Sequence, residues 1–197
     1  MTKDAADPFA TFAAWYREAQ DHADISDASA VNLATASPSG KPSNRMVLCK
    51  AFGPAGFVVY TNLSSRKAGE LKANPLASLC FYWAPLGRQV RIEGAVTQVD
   101  DGEADSYFAT RPIESRIGAW ASRQSEELAS RTELVGRIAR TAARFAAGEV
   151  HRPPFWSGFR LEPARMEFWA NRSGRLHDRT GFERIDPDRW RRFLIYP

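Results

Sequence analysis

Two serines followed at once by two cations, Ser64-Ser65-Arg66-Lys67, open a segment, SSRKAGELKANP, that reads as a short helix with a serine cap and a stop before Pro75. Arg66 and Lys67 then fall in the first turn, where the positive end of the helix dipole disfavours cations. Free backbone N–H groups, hydroxyls and two cations converging at a helix start make phosphate binding the chemistry of this segment. The alternative is that both side chains run along the surface into water.

A second group, Tyr107, Arg111 and Ser115, has the same character. Residues four apart on a helix share a face, and a turn at Pro112 brings Ser115 alongside, so a second phosphate could sit there. Two phosphate sites imply a phosphorylated cofactor and a phosphorylated substrate. The third group lies in Arg175-Leu176-His177-Asp178-Arg179, read as extended, where period-two alternation turns Arg175, His177 and Arg179 to one face. A histidine between two arginines calls for an anion or acceptor opposite. Trp169, just upstream, could wall a flat aromatic ligand or fill the core. No Ser-His-Asp arrangement, CxxC pair, Walker loop or GxGxxG fingerprint is present, so hydrolase, zinc and dinucleotide-fold readings lose their usual support.

The elements that must position these groups are mostly strands. Asp7-Pro8 followed by Phe9, Phe12, Ala13 and Tyr16 has the cap, first-turn proline and spacing of an amphipathic helix. From Val31 to Val99 come short β-rich runs, VNLATAS, NRMVLCKAF, GFVVYTN, ASLCFYW and RQVRIEGAVTQV, separated by turn residues. Their close spacing favours antiparallel hairpins, and five such strands suggest a small closed barrel. DDGEADSYFATRP predicts a helix capped by Asp100 or Asp101 and ended by Pro112. Ser125 through Ala147 predicts the longest helix, with Leu128, Val135, Ile138 and Phe145 on or near one face. Strand texture returns near 155–171, ending in MEFWAN, and again in RWRRFLIYP. The fold class is mainly β with flanking helices, in one domain over residues 1–197.

Composition agrees with that reading. At 44% hydrophobic and 25% charged residues the chain is ordinary for a folded domain. No apolar run is long enough to span a membrane, and the start, MTKDAADPF, lacks a signal-peptide pattern, so a cytoplasmic location is expected. Cys49 and Cys80 lie in apolar runs without metal-ligand spacing and read as buried free thiols. The formal charge of +4 comes from singly placed residues, densest at Arg189, Arg191 and Arg192 around Trp190, which reads as a solvated or interface face; no nucleic-acid partner is implied.

These segments, in this order, resemble the pyridoxamine 5′-phosphate oxidase family from about Asp7 to the C-terminus. The resemblance is carried by RMVLCK at 45–50, YTNLSSRK at 60–67, Gln89 in RQVRIEG, SYFATRPIESRIGAWASRQS at 106–125 and EFWANRSGRLHDR at 167–179. It implies an FMN-binding split β-barrel that works as a homodimer, with FMN in a cleft between subunits. It places Arg45, Met46, Val47, Leu48, Cys49, Lys50, Tyr60, Thr61, Arg66, Lys67, Gln89, Gln124, Ser125, Trp169 and Arg179 around FMN. It places Lys50, Tyr107, Arg111 and Ser115 on the phosphate of a small pyridine substrate, with Arg175 and His177 as the catalytic pair over its ring. The implied reaction is oxidation of pyridoxamine or pyridoxine 5′-phosphate to pyridoxal 5′-phosphate, with molecular oxygen reduced to hydrogen peroxide. Arg175 stays protonated, so its implied role is positioning and electrostatic stabilisation.

Two departures from the family pattern stand out. Only six residues precede Asp7, so the arm that covers the substrate in family members is expected to be absent. The chain finishes Leu194-Ile195-Tyr196-Pro197 where the family usually has Arg-Leu-x-Pro. Two rival readings stand beside it: a phenazine-type FMN oxidase of the same fold acting on a larger, unphosphorylated substrate, and, from another class, a non-catalytic flavin- or pyridoxal-phosphate-binding protein. Tyr107, Arg111 and Ser115 argue against the first, which has no use for a phosphate site.

Overall fold

The computed structural model describes residues 7–146 and 148–197; the expectation about a covering arm falls on residues 1–6, outside the described residues. The first helix, α1 (Pro8–Asp21), starts as its sequence dictates: Asp7 accepts a hydrogen bond from the Phe9 N–H at 2.8 Å, and Pro8 takes the first-turn position where no N–H is needed. Its Phe12 is fully buried and meets Phe52, Phe57 and Phe81 edge-on at 4.8–5.1 Å between ring centroids. The helix therefore plugs the end of a barrel whose strands supply those rings.

The strands are β1 (Ala30–Ala36), β2 (Pro42–Gly53), β3 (Gly56–Asn62), β4 (Leu76–Trp83), β5 (Arg88–Gln98), β6 (Trp156–Ala170), β7 (Asp178–Asp186) and β8 (Arg189–Leu194). All pairings are antiparallel, in the order β3-β2-β1-β4-β5-β6-β7-β8, and β3 also pairs with β6. That last pairing closes six strands into a barrel and leaves β7 and β8 as an extension. Strand β6 can serve both because it is 15 residues long: residues 156–161 face β3 and residues 165–170 face β7. Its Pro163, which has no N–H to give, sits where the register slips at Glu93/Gly94. A side chain at Gly94 would lie 1.9 Å from the Glu162 carbonyl oxygen, so only glycine permits that crossing.

Four further helices lie outside the barrel: α2 (Arg66–Ala73), α3 (Asp101–Thr110), α4 (Ile113–Ala121) and α5 (Arg131–Arg144). The five expected strands and the helices at 66–73 and 101–110 are present, and Asp100 is the cap that accepts from the Glu103 N–H. Four expectations are corrected. Residues 122–130 form a loop, and α5 starts at Arg131, capped by Ser130 Oγ accepting from the Glu133 N–H at 3.1 Å. Ser125, with φ of 75°, has a backbone that cannot continue a helix. At 14 residues α5 only equals α1, its Val135 and Ile138 stay exposed, and Leu128 precedes it. Helix α4 fills the stretch after Pro112, where the sequence predicts only a turn.

The third correction bears on chemistry. Arg175 ends a 3₁₀ turn, Ser173–Arg175, with φ of 61°, and β7 begins only at Asp178. Period-two alternation therefore does not govern Arg175, His177 and Arg179. Cys49 is buried as expected, whereas Cys80 is only half-buried.

Candidate active site

Alternation along β2 turns Ser43, Arg45, Val47 and Cys49 to the inner face, with Cys49 in the barrel core, and Asn44, Met46, Leu48 and Lys50 to the exposed face; the strand forms one wall of a cleft of about 840 Å³. Residues 43–48 and Lys50 line that wall; Tyr60, Thr61, Arg66 and Lys67 add the β3–α2 corner; Tyr107, Arg111 and Ser115 add the α3–α4 corner; Gln124 and Ser125 come from the loop after α4. The two cation groups read from local spacing thus face one cavity. Ser43, Asn44, Thr110, Pro112 and Trp156 also line it and were not anticipated, although Ser43 shares the alternation that places Arg45.

The cleft lining holds five cations, Arg45, Lys50, Arg66, Lys67 and Arg111, and no carboxylate. Lys67 is the most demanding of them. It is 8% exposed, and its Nζ donates to Thr61 Oγ1 and Gln124 Oε1, both at 3.1 Å, and to Ser65 Oγ at 3.4 Å. None of these acceptors is charged, and among the described residues Lys67 forms no ion pair. Burial, with Arg45 nearby, pushes its pKa below the ordinary lysine value. Ser65 holds the cap position without capping: its Oγ donates to the Asn62 carbonyl, and the Arg66 N–H turns instead to Ser125 Oγ at 3.2 Å. The left-handed backbone of Ser125 aims that hydroxyl across the cleft floor.

At the other corner Arg111 lies over the Trp156 ring at 4.8 Å, and its buried terminal nitrogen Nη1 has no hydrogen-bond partner among the described residues. Burial lowers its pKa, opposed by Tyr107. The near-parallel rings of Tyr60, Tyr107 and Trp156 form one cluster, with centroids 4.0 Å apart for Tyr60–Tyr107, 5.2 Å for Tyr60–Trp156 and 6.2 Å for Tyr107–Trp156. Burial, reinforced by Glu103, pushes the Tyr60 hydroxyl up to about 12, so it stays protonated. Cys49 is likewise pushed up to about 12 by burial; its side chain lies in the core, and it does not line the cleft.

Besides Cys49, five of the expected residues do not line the cleft of this chain. Gln89, Trp169 and Arg179 are cross-strand neighbours on β5, β6 and β7, paired Gln89 with Trp169 and Trp169 with Arg179. The buried Glu167 holds Arg179 at 2.8 Å and Arg91 at 3.3 Å. His177 packs its ring 4.6 Å from Trp169 and accepts from the Arg172 N–H through Nδ1 at 3.2 Å. Arg175 is exposed and has no ion pair among the described residues. The residues sort into a cleft set on the barrel and a second set, contiguous but apart, on the β6–β7 end of the sheet.

The donor set of the cleft fits FMN. A buried lysine and an arginine at a helix start, with hydroxyl and amide partners, suit one terminal phosphate, and the cavity has room beside them for a flat ring system.

Residues 18–145 match the family described as pyridoxamine 5′-phosphate oxidase, and residues 156–197 match the pyridoxine 5′-phosphate oxidase C-terminal dimerisation region. A pyridoxine/pyridoxamine 5′-phosphate oxidase of Sphingopyxis alaskensis is 54% identical over 97% of this chain and 88% of its own length. One from Rhodospirillum rubrum is 53% identical over 97% and 96%. Among solved structures, PhzG from Burkholderia lata 383, in complex with tetrahydrophenazine-1-carboxylic acid, superimposes with a TM-score of 0.91 at 32% identity, covering 99% of this chain and 95% of its own. A pyridoxamine 5′-phosphate oxidase-related, FMN-binding protein from Nostoc punctiforme shares the fold, with a TM-score of 0.78 at 19% identity over 97% and 98%.

Proposed function

The chain belongs to the pyridoxamine 5′-phosphate oxidase family, and from that we propose that it oxidises pyridoxamine 5′-phosphate or pyridoxine 5′-phosphate to pyridoxal 5′-phosphate, using FMN and molecular oxygen and releasing hydrogen peroxide, with water consumed and ammonia released when the substrate is the amine. The observation that carries this reading is a single cleft with no carboxylate in its lining and two separate anion-binding corners, Arg66 and Lys67 at the start of α2 and Arg111 with Tyr107 and Ser115 at the α3–α4 corner. One group suits the phosphate of the cofactor, the other that of the substrate.

Bound FMN supplies a two-electron acceptor for the hydrogen leaving the substrate carbon and a route for those electrons to oxygen. This chain's residues do the rest. Arg66, Lys67, Thr61, Gln124, Ser125 and Arg45 hold the cofactor phosphate and its neighbouring atoms, while Lys50, Tyr107, Arg111 and Ser115 grip the substrate phosphate. Anchoring both partners by their phosphates fixes the distance between reacting atoms before any chemistry occurs. Tyr60 stays protonated and serves as a wall and hydrogen-bond donor.

We read the enzyme as a homodimer of single-domain chains. Trp169, Arg175, His177 and Arg179 all lie within the matched dimerisation region and outside the cleft of their own chain, so a second copy is the natural source of that set. On this reading Gln89, Trp169 and Arg179 complete the FMN site, and Arg175 and His177 lie over the substrate ring. The left-handed turn at Arg175 projects its side chain into solvent in one chain, which suits a residue that acts across an interface. Among the described residues no helix is long and apolar enough to cross a membrane, and we place the enzyme in the cytoplasm.

The similarity to PhzG supports a second reading, an oxidase for a larger, unphosphorylated ring system. Tyr107, Arg111 and Ser115, gathered with the unpaired Arg111 nitrogen, favour the phosphorylated substrate. The purified protein should be yellow and release FMN on denaturation. Anaerobic pyridoxamine 5′-phosphate should bleach its visible spectrum, and air should restore the colour with formation of peroxide. A colourless protein, or one that keeps its colour with this substrate, overturns the proposal; a spectrum that shifts with the substrate but does not bleach would identify a binding protein instead.

Arg175→Ala should leave a yellow dimer whose turnover falls at least about tenfold, roughly 1.4 kcal/mol of transition-state stabilisation. His177→Ala should act in the same direction, more weakly. Parental rates in both variants would remove them from the site, and loss of FMN would move them to the cofactor.

A further inference from the structure

Behind the cleft, one buried carboxylate binds two of the site's arginines. Glu70 is 9% exposed and lies one helical turn after Arg66 on α2. Its Oε1 accepts from Arg66 Nε at 2.9 Å; its Oε2 accepts from Ser43 Oγ at 2.6 Å, Thr35 Oγ1 at 2.5 Å and Arg45 Nη2 at 3.3 Å. Arg45 is tied to the same post by Nη1 donating to Thr35 Oγ1 at 2.6 Å and Nη2 to Ser43 Oγ at 2.5 Å. Three elements, β1, β2 and α2, thus meet on one side chain, which does not line the cleft. Those hydrogen bonds hold the Glu70 carboxyl at about 2, so it is ionised under any ordinary condition.

We propose that Glu70 is a positioning residue of the cofactor site, holding Arg45 and Arg66 side by side so that the terminal N–H groups of Arg66 and the remaining Nε–H of Arg45 meet the FMN phosphate together. The inference rests on the FMN reading above. Glu70 occupies only the Nε of Arg66, so both terminal nitrogens of that guanidinium remain available to a ligand. The Arg66 side chain is 58% exposed and would otherwise sample many rotamers, and two guanidinium groups on one small site repel each other without an anion between them.

Charge and positioning predict opposite signs. If Glu70 acted only through its charge, it would repel the phosphate, and removing that charge would tighten FMN binding. If it holds the arginines, the isosteric Glu70→Gln loosens them and weakens binding. A role confined to knitting β1, β2 and α2 together would affect every ligand of the cleft alike.

The experiment titrates FMN and riboflavin separately into the flavin-free wild-type protein and into Glu70→Gln, following flavin fluorescence, with thermal unfolding of each. FMN should bind the variant about tenfold more weakly while riboflavin, which has no phosphate, binds both proteins equally. Thr35→Val, which removes a hydroxyl bonded to both Glu70 and Arg45, should shift FMN in the same direction by a few-fold and carries the test if Glu70→Gln does not fold. Unchanged or tighter FMN binding, or an equal loss of both flavins, overturns the proposal. If the wild-type protein itself fails to prefer FMN to riboflavin, the cofactor reading falls and this inference with it; if the wild type discriminates and the variants match it, only the inference falls.

Discussion

Replacing Arg66 and Lys67 together with alanine will give a folded protein that is isolated colourless, with FMN affinity reduced by about 10²–10⁴-fold. The magnitude follows from the loss of two charge-assisted hydrogen-bonding groups, each worth roughly 1.5–3 kcal/mol. Lys67 should account for the larger share, because it is already buried and surrounded by neutral acceptors, so it meets an anion with little further loss of water. The same fact makes Lys67→Met diagnostic. Removing a buried cation that has no carboxylate partner should raise the thermal stability of the flavin-free protein while lowering its affinity for FMN. The pH dependence has a definite sign. Burial depresses the Lys67 pKa in the free protein, and a bound phosphate raises it again, so binding at alkaline pH must take up a proton. FMN affinity should therefore be full below the depressed pKa and fall as pH rises through it, and Lys67→Met should lose that dependence. Unchanged FMN retention in the double variant would remove both side chains from the cofactor site.

Arg111→Ala should leave the flavin in place and lower kcat/KM for pyridoxamine 5′-phosphate by about 30–150-fold, the equivalent of roughly 2–3 kcal/mol. The loss should appear mainly in KM, because the substrate phosphate does not change during the reaction and its grip is equal in ground and transition states. The basis is the buried Nη1 of Arg111, which has no partner among the described residues, on a guanidinium laid flat over Trp156. Arg111→Lys should recover little of the activity, since a point charge on a longer stem neither stacks on the indole nor presents two parallel donors. Stopped-flow reduction with increasing substrate separates the binding and chemical steps. Equal effects on a phosphorylated and an unphosphorylated substrate would remove the phosphate from this corner and favour the phenazine-type reading.

Much of this protein follows from local sequence. The alternation of β1 through β5 and the turn residues between them specify strands, because side chains on one face of a strand must be apolar when that face is buried. Arg66 and Lys67 against the dipole of α2, and Tyr107, Arg111 and Ser115 around Pro112, were legible as anion sites because each group lies within a few residues of one helix end. The capping pair Ser130 and Glu133 was equally local and marks the true start of α5.

Other features depended on contacts between distant segments. Nothing near Ser125 forbids a helix; its left-handed backbone arises because Gln124 and Ser125 turn back to meet Lys67 and Arg66 across the cleft. The turn at Arg175 overrode an alternating pattern that was too short to hold a strand by itself. Glu70 gave no sign beyond its spacing from Arg66, since Thr35, Ser43 and Arg45 reach it only once β1 and β2 pair beside α2. The sequence by itself therefore determined the strands and the two cation groups, whose causes lie within single elements. Only the tertiary structure decided that both groups face one cavity, and that Gln89, Trp169 and Arg179 form a separate contiguous set. Those arrangements depend on the β3–β6 closure and the β5–β6–β7 register, which join residues far apart in the chain.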